Sequence, residues 1–330
     1  MNINKFKYDG KRKFNIKESS TEYSGKYAKK LADSPLFAEN INEIRELQEK
    51  MYAQKNEGLV IIFQATDAAG KDGVIRTVFS ILSPHGVQEY CFKNPSSVDL
   101  SHDYMWRVWS KLPAKGDIAL FNRSYYEEVL IGKVHQLYKT QKKADRISNK
   151  TVIKNRYQQI NNIEKYLYQN SIRVVKIFLN LSKDEQAERF ISRIDEKDKN
   201  WKVSPADIGE REYWDEYQQA FEDMINNTST RIAPWYVVPA DHKWYARYVV
   251  SEIVRDILND MNPKYPNVDK GAMEYALNAR QELFDSIQDK SRKEKILNKM
   301  EAKKLKGKSS LKNNCESNRE EKPEAQAEDE

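Results

Sequence analysis

Four strand-length apolar runs, one of them carrying Arg173 and Lys176, constrain this chain more than any other feature. They are Leu59-Val60-Ile61-Ile62-Phe63, Ile118-Ala119-Leu120-Phe121, the stretch 172–179, and Trp235-Tyr236-Val237-Val238. Runs of strand length without strict alternation mark strands covered on both faces, as in a parallel sheet. Residues 87–92 read as a fifth, weaker strand. Between these runs the apolar spacing turns helical, over about 71–82, 101–111, 148–169, 184–195 and 207–227. An amphipathic helix precedes the first run, with Phe37, Ile41, Ile44, Leu47 and Met51 on one face and Pro35 in its first turn. Strand alternating with helix predicts an α/β domain around a central parallel sheet of about five strands. A last core helix over 241–261 closes it near Pro263. Residues 1–33 are polar and aperiodic and read as an arm, so the domain spans 34–262. Beyond it, 263–330 reads as one further helix, 270–288, and then a disordered charged tail. No internal repeat is present.

At 330 residues, 32% of them charged, the chain has length for one large domain or two small ones and a heavily charged surface. No apolar run approaches the ~18 residues of a spanning helix. The start, Met1-Asn2-Ile3-Asn4-Lys5, lacks the apolar core of a signal peptide. These features predict a cytoplasmic protein without membrane partners. Cys91 and Cys315 stand far apart and outside any C-x-x-C, which argues against a disulfide framework or a cysteine-rich zinc site. The net charge of +6 is modest. Residues 291–308 hold eight Lys/Arg against two Glu, and 316–330 hold seven acidic against two basic residues. The basic block lacks interleaved aromatics and adjoins an acidic stretch, so it reads as a solvated tail, and nucleic acid is disfavoured as a partner.

The sharpest local feature follows the first strand: Gln64-Ala65-Thr66-Asp67-Ala68-Ala69-Gly70-Lys71-Asp72-Gly73. A buried strand running into a Gly-Lys loop that opens a helix suits phosphate binding, because backbone N–H groups and the helix N-terminus face the anion. The candidate loop is Ala68, Ala69, Gly70, Lys71, Asp72 and Gly73. The strict pattern G-x-x-x-x-G-K-[ST] nevertheless fails twice, at Ala65 and at Asp72, and on the loop alone an ordinary strand-to-helix turn remains open. Asp67, inside the loop, would repel phosphates unless a cation intervened. After the third strand comes Phe121-Asn122-Arg123-Ser124-Tyr125-Tyr126-Glu127. The carboxyl ends of neighbouring parallel strands share a crevice, which predicts that Arg123 and Glu127 approach the same phosphates as Asp67 and Lys71.

With that loop, further motifs appear in order: Phe92-Lys93-Asn94-Pro95-Ser96, His102-Asp103, Trp106-Arg107, Glu188-Arg189-Phe190 with Arg193, Trp201-Lys202-Val203-Ser204 with Asp207, Tyr213-Trp214, and Ala233-Pro234-Trp235-Tyr236. Over about 30–262 the chain resembles the family-2 polyphosphate kinases. The resemblance implies a three-layer P-loop kinase fold with a helical lid, here about 196–211. It also implies phosphoryl transfer between inorganic polyphosphate and nucleotides, reversible and with Mg²⁺ (Mn²⁺ as an alternative ion), in a homo-oligomer. A common family pattern reads D-R-S-W-Y-N-R after the third strand. Asn122 and Glu127 depart from it and resemble the third class, associated with phosphorylating both nucleoside mono- and diphosphates. Ala65, in place of the first loop glycine, is a further departure.

Phosphoryl transfer needs positioning and charge neutralisation more than covalent chemistry. Asp67 and Glu127 are the candidate metal carboxylates. With Lys71 and Arg123 they form the candidate catalytic set. Candidates for holding polyphosphate or nucleotide are Lys93, Arg107, Asn122, Lys133, Arg189, Arg193 and Lys202, the last in the lid with Lys197, Lys199 and Trp201. His85, His102, His135 and His242 show no ligand spacing and read as structural. The alternatives are an ATP-dependent nucleoside monophosphate kinase of the thymidylate-kinase type, or a nucleic-acid-binding P-loop protein using the basic tail.

Overall fold

The computed structural model describes residues 2–23, 35–198 and 200–301. The expectations for 24–33, for Lys199 and for the tail beyond 301 lie outside the described residues. The chain divides into two units, Met1–Pro266 and Asn267–Glu330.

The first unit is built on one six-stranded sheet. Its strands are β1 (Lys7–Tyr8), β2 (Gly58–Ala65), β3 (Val87–Cys91), β4 (Ile118–Asn122), β5 (Ile172–Asn180) and β6 (Trp235–Pro239), in the order β1-β6-β5-β2-β4-β3. All neighbours run parallel except β1 with β6. Among the described residues six longer helices accompany the sheet: α1 (Leu36–Gln54), α2 (Lys71–Phe79), α3 (Val152–Gln169), α4 (Lys183–Asp195), α5 (Trp214–Thr228) and α6 (Lys243–Met261); the second unit, taken by itself, carries α7 (Lys270–Ser286).

The apolar runs behave as their composition requires. Along β2, Leu59, Ile61 and Phe63 point into a core shared with α1, α2 and α6. Val60 and Ile62 point into a second core, shared with α3 and α5. Burial on both faces selects β-branched and aromatic side chains at every position rather than at alternate ones. The register pairs Phe63 with Asn122 on one side and with Ile177 on the other. The carboxyl ends of β2 and β4 therefore finish side by side, and the loops after them open on the same edge.

The sheet departs from the five-strand expectation because the segment read as an arm supplies the sixth strand. Ile3 and Phe6 join one core, and Phe14 (2% exposed) and Ile16 join the other. Strand pairing of Lys7 and Tyr8 with β6, and side-chain bonds to the backbone of Phe14, carry this docking. The Phe14 N–H donates to Asn226 Oδ1 at 2.8 Å, and Asn226 Nδ2 returns a bond to the Phe14 carbonyl at 2.9 Å. A two-residue edge strand needs no apolar periodicity.

Two predicted helices are broken. In place of 101–111 stand two single turns, Ser97–Leu100 and Trp106–Trp109, the first closed by a Ser96–Asp99 capping box. In place of one helix over 207–227, a turn at Pro205–Gly209 and a 3₁₀ turn at Glu210–Tyr213 precede α5. Gly209, costly inside a helix, stands at the first break.

In the second unit, Asp269 caps α7 by accepting from the N–H groups of Gly271 and Ala272. A further helix covers 290–301, in place of the expected disorder. Phe284 and Ile287 line one small hollow with Ile296, Leu297 and Met300, so a few apolar residues suffice to order this stretch.

Candidate active site

The loop after β2 is shaped by two left-handed residues, Ala68 (φ 63°) and Gly70 (φ 96°). The second suits glycine, which pays no Cβ penalty there. The first intrahelical bond of α2 runs from the Val74 N–H to the Gly70 carbonyl, so the N–H groups of Lys71, Asp72 and Gly73 precede the ladder. Lys71 is only 8% exposed. Its Nζ donates to the Ala65 carbonyl at 3.2 Å, beneath the loop. Burial, reinforced by Arg123, pushes the ammonium below its usual range, while Asp67, Glu127 and Asp72 pull it back.

At the end of β4 the chain turns through Arg123, also left-handed (φ 62°), whose N–H donates across to the Phe63 carbonyl at 3.1 Å. That turn sends the guanidinium towards the loop. Arg123 Nη2 lies 2.6 Å from Asp67 Oδ1, and Nη1 lies 3.6 Å from Glu127 Oε2. Burial raises the Glu127 carboxyl above its usual range, against the pull of Arg123 and Lys71. The 3₁₀ turn carrying Glu127 is held from behind. Ser124 Oγ accepts from the Tyr126 N–H at 3.1 Å, and the hydroxyls of Tyr125 and Tyr126 both donate to Glu164 Oε1. Glu164 is itself paired with the fully buried Lys176 at 2.6 Å.

Asp67 and Glu127 thus flank one guanidinium. Buried beside them, and without hydrogen-bond partners, are Gln64 Oε1 and Thr66 Oγ1. Among the described residues no group of three metal-ligating side chains exists. A divalent ion bound by one or two carboxylates, with phosphate and water oxygens completing its shell, fits this donor set; that is the usual mode of Mg²⁺. Burial, with Asp67 nearby, raises the Asp207 carboxyl above its usual range, against the pull of Arg123. The sequence assigns Asp207 no role; it follows Ser204 in the turn Pro205–Gly209, and only the tertiary fold brings it beside Asp67 and Arg123.

A cavity of about 540 Å³ opens beside Arg123 and Glu127. Phe92, Leu100 and Leu137 give it apolar walls, and Lys93 and Arg107 line its rim. Arg107 is fixed there by a 2.7 Å bond to the Lys93 carbonyl.

Other candidates sit elsewhere. Asn122 spends its amide on two carboxylates, Asp72 Oδ1 at 2.9 Å and Glu89 Oε1 at 3.2 Å. Lys133 is ion-paired with Asp223. Arg193 is half-buried over the Phe190 ring. Lys202 lies in the 3₁₀ turn Asn200–Lys202.

Arg189, read as a polyphosphate contact, is buried behind the loop. Its five N–H groups go to Glu185, to the carbonyls of Ala68 and Ala69, and to those of Ala240 and Asp241. It ties the phosphate loop to the end of β6. Arg189→Ala is therefore expected to cost about 3 kcal/mol of stability, since buried carbonyls lose charged donors. Urea denaturation checks this; an unchanged midpoint with a selective loss of polyphosphate affinity would return Arg189 to substrate contact.

A parallel sheet with a phosphate loop after β2, and a cation–carboxylate cluster after β4, defines a phosphotransferase of the P-loop kinase class. The sequence matches the family described as "Polyphosphate kinase 2 (PPK2)" over residues 27–266, and the chain belongs to that family. It is 44% identical over 251 residues to an "ADP-polyphosphate phosphotransferase" of Rhodopseudomonas palustris, covering 76% of this chain and 87% of that one. It is 40% identical over 223 residues to an "AMP/ADP-polyphosphate phosphotransferase" of Meiothermus ruber, covering 68% and 80%. The crystal structure of polyphosphate kinase 2 from Arthrobacter aurescens superposes with a TM-score of 0.75 at 37% identity, covering 85% of this chain and 97% of that one.

Proposed function

We propose that this enzyme transfers the terminal phosphoryl group of inorganic polyphosphate to AMP and to ADP. The observation that carries the reading is the convergence of Lys71, Arg123, Asp67 and Glu127 where two neighbouring strands end. An oxygen of the acceptor phosphate attacks the terminal phosphorus, the anhydride P–O bond breaks, and the shortened polyphosphate leaves with that bond's electrons. Lys71 and the N–H groups opening α2 hold the donor, where preorganised positive charge is most effective. Arg123, fixed by Asp67, neutralises charge on the group in flight. The 540 Å³ cavity takes the nucleoside, with Lys93 and Arg107 near its phosphate. Asp67 and Glu127 would hold a bound Mg²⁺, or Mn²⁺ in its place, and that ion would supply neutralisation of phosphate charge.

The mechanism uses no histidine as a phosphoryl carrier. His135 pairs with Glu210 at 2.8 Å, and His102 stacks on Trp106. A thymidylate-kinase-type activity finds no support in the relatives named above. Among the described residues no helix is long and apolar enough to cross a membrane. A cytoplasmic site accords with the nucleotide pool the enzyme would draw on.

The test is to supply polyphosphate and Mg²⁺ with AMP alone and with ADP alone. ADP from the first and ATP from the second are expected; ATP without ADP ends the dual-acceptor reading. Asn122 and Glu127 are expected to set the balance, because an Asp at 122 would place a third carboxylate between Asp72 and Glu89. The double variant Asn122→Asp, Glu127→Asn should shift the AMP-to-ADP preference by about tenfold, a change of about 1.4 kcal/mol. An unshifted preference would remove the pair from acceptor choice.

A further inference from the structure

Of the cations the sequence singles out near the loop, several are already engaged. Lys133 is paired with Asp223 and Arg189 is saturated by protein acceptors. Arg107 faces the acceptor cavity. Two arginines that no motif marked are differently placed.

Arg247 projects from the first turns of α6 against the first turn of α2. Its Nη2 lies 3.4 Å from where a Cβ on residue 73 would stand, so Gly73 leaves room for the guanidinium beside the loop. Arg76 follows Gly73 by three residues and shares its helix face. On the other side, Arg189 Nη1 lies 3.5 Å from the Cβ position of Gly70. Among the described residues, neither Arg76 nor Arg247 has a hydrogen bond or a carboxylate within ion-pair range. Arg255, two turns further along α6, is by contrast held by Glu252, Asn40 and Glu43. Burial, with Arg76 and Arg189 added, depresses the Arg247 guanidinium below its usual range. Three guanidinium groups share this corner, and among the described residues the one carboxylate bonded to any of them is Glu185, on Arg189. Such a cluster repels itself unless an anion bridges it.

In-line transfer puts donor and acceptor on opposite sides of the moving phosphoryl group. The acceptor cavity lies on the Arg123–Glu127 side of the loop. A donor whose end rests on Lys71 must leave by another route, and the positive charge left unpaired among the described residues lies over Gly73.

We infer that Arg247 and Arg76 form the track along which the body of a long polyphosphate donor lies, beyond the phosphates held by the loop. This inference rests on the polyphosphate reading above and assigns that substrate a second stretch of binding surface. A donor of three phosphates is spent on the loop and gains little from the track. A long chain reaches both arginines and displaces counterions as it does so.

The test uses the full-length enzyme with Arg76→Gln, Arg247→Gln and the double variant, with ADP as acceptor and either long-chain polyphosphate or tripolyphosphate as donor. The double variant is expected to raise KM for the long chain by about tenfold or more, and for tripolyphosphate by about threefold at most. The salt dependence of long-chain binding, measured without nucleotide on an end-labelled polymer, should lose a slope of about one per arginine removed. Equal rises for both donors, or an unchanged slope, would overturn the track. Should the double variant fail to fold, Arg76→Glu at its exposed position gives the same readout, and an unchanged long-chain KM there overturns the track equally. Absence of polyphosphate turnover in the unaltered enzyme would overturn the underlying reading instead, so the two failures are distinguishable.

Discussion

Lys71→Ala is expected to lower kcat by about 10³-fold and to leave the protein folded, because a preorganised cation on the transferring group contributes most where water is excluded. Lys71 is buried, opens α2, and has one protein acceptor, the Ala65 carbonyl at 3.2 Å. A buried ammonium with so little direct bonding is costly, and the same burial pushes its pKa below the usual range. That cost is offset when phosphate oxygens arrive. Removing the charge should therefore leave thermal stability unchanged or slightly raised while turnover collapses. Steady-state kinetics beside a melting curve checks both halves. Near-normal turnover would take Lys71 out of the mechanism, and a collapsed melting temperature would make its role structural.

Asp67→Asn is the second large effect, expected at about 10²-fold in kcat with a raised requirement for divalent cation. The carboxylate performs two tasks from one position. Its Oδ1 holds Arg123 Nη2 at 2.6 Å, fixing the guanidinium that the left-handed turn at Arg123 delivers. Among the described residues its other oxygen has no hydrogen bond, and it would be the one offered to a metal ion. Asparagine keeps the size and one acceptor oxygen but loses the charge, leaving Arg123 with Glu127 at 3.6 Å as its remaining carboxylate. The backbone carbonyl of residue 67 still accepts from Gln186 Nε2 at 3.0 Å, so the loop should keep its path. A Mg²⁺ titration of initial rates separates the tasks. A lower plateau with an unshifted midpoint assigns Asp67 to Arg123 alone, and unchanged kinetics remove it from both roles.

Much of this site is legible in the amino-acid order, for a local reason. A phosphate loop is a contiguous segment, and the strand and helix that flank it announce themselves by apolar pattern. The meeting of Arg123 with Asp67 follows from a topological rule, that parallel neighbours end on the same edge, and the register of Phe63 with Asn122 obeys it. What the amino-acid order does not carry has a different character. Helical spacing groups Arg189 with Arg193, yet the fate of Arg189 is decided by carbonyls at Ala68, Ala69, Ala240 and Asp241, which no side-chain pattern encodes. Lys133 is neutralised by Asp223, ninety positions away. The short edge strand Lys7–Tyr8 pairs through its backbone with Trp235 and Tyr236, so its own side chains carry no signal.

The amino-acid order alone therefore settled what depends on neighbours in the chain: which runs become buried strands, where the phosphate loop lies, and which residue types can meet phosphate. Folding decided what depends on distance across the molecule. It left Arg247 and Arg76 without partners among the described residues beside Gly73 while consuming Arg189 and Lys133, and it brought Asp207 towards Asp67. The physical reason is that a charge announces its sign in sequence but not its partners. Coulomb and hydrogen-bond energies are set by separations of a few ångströms, and only the packed chain determines which separations become that short.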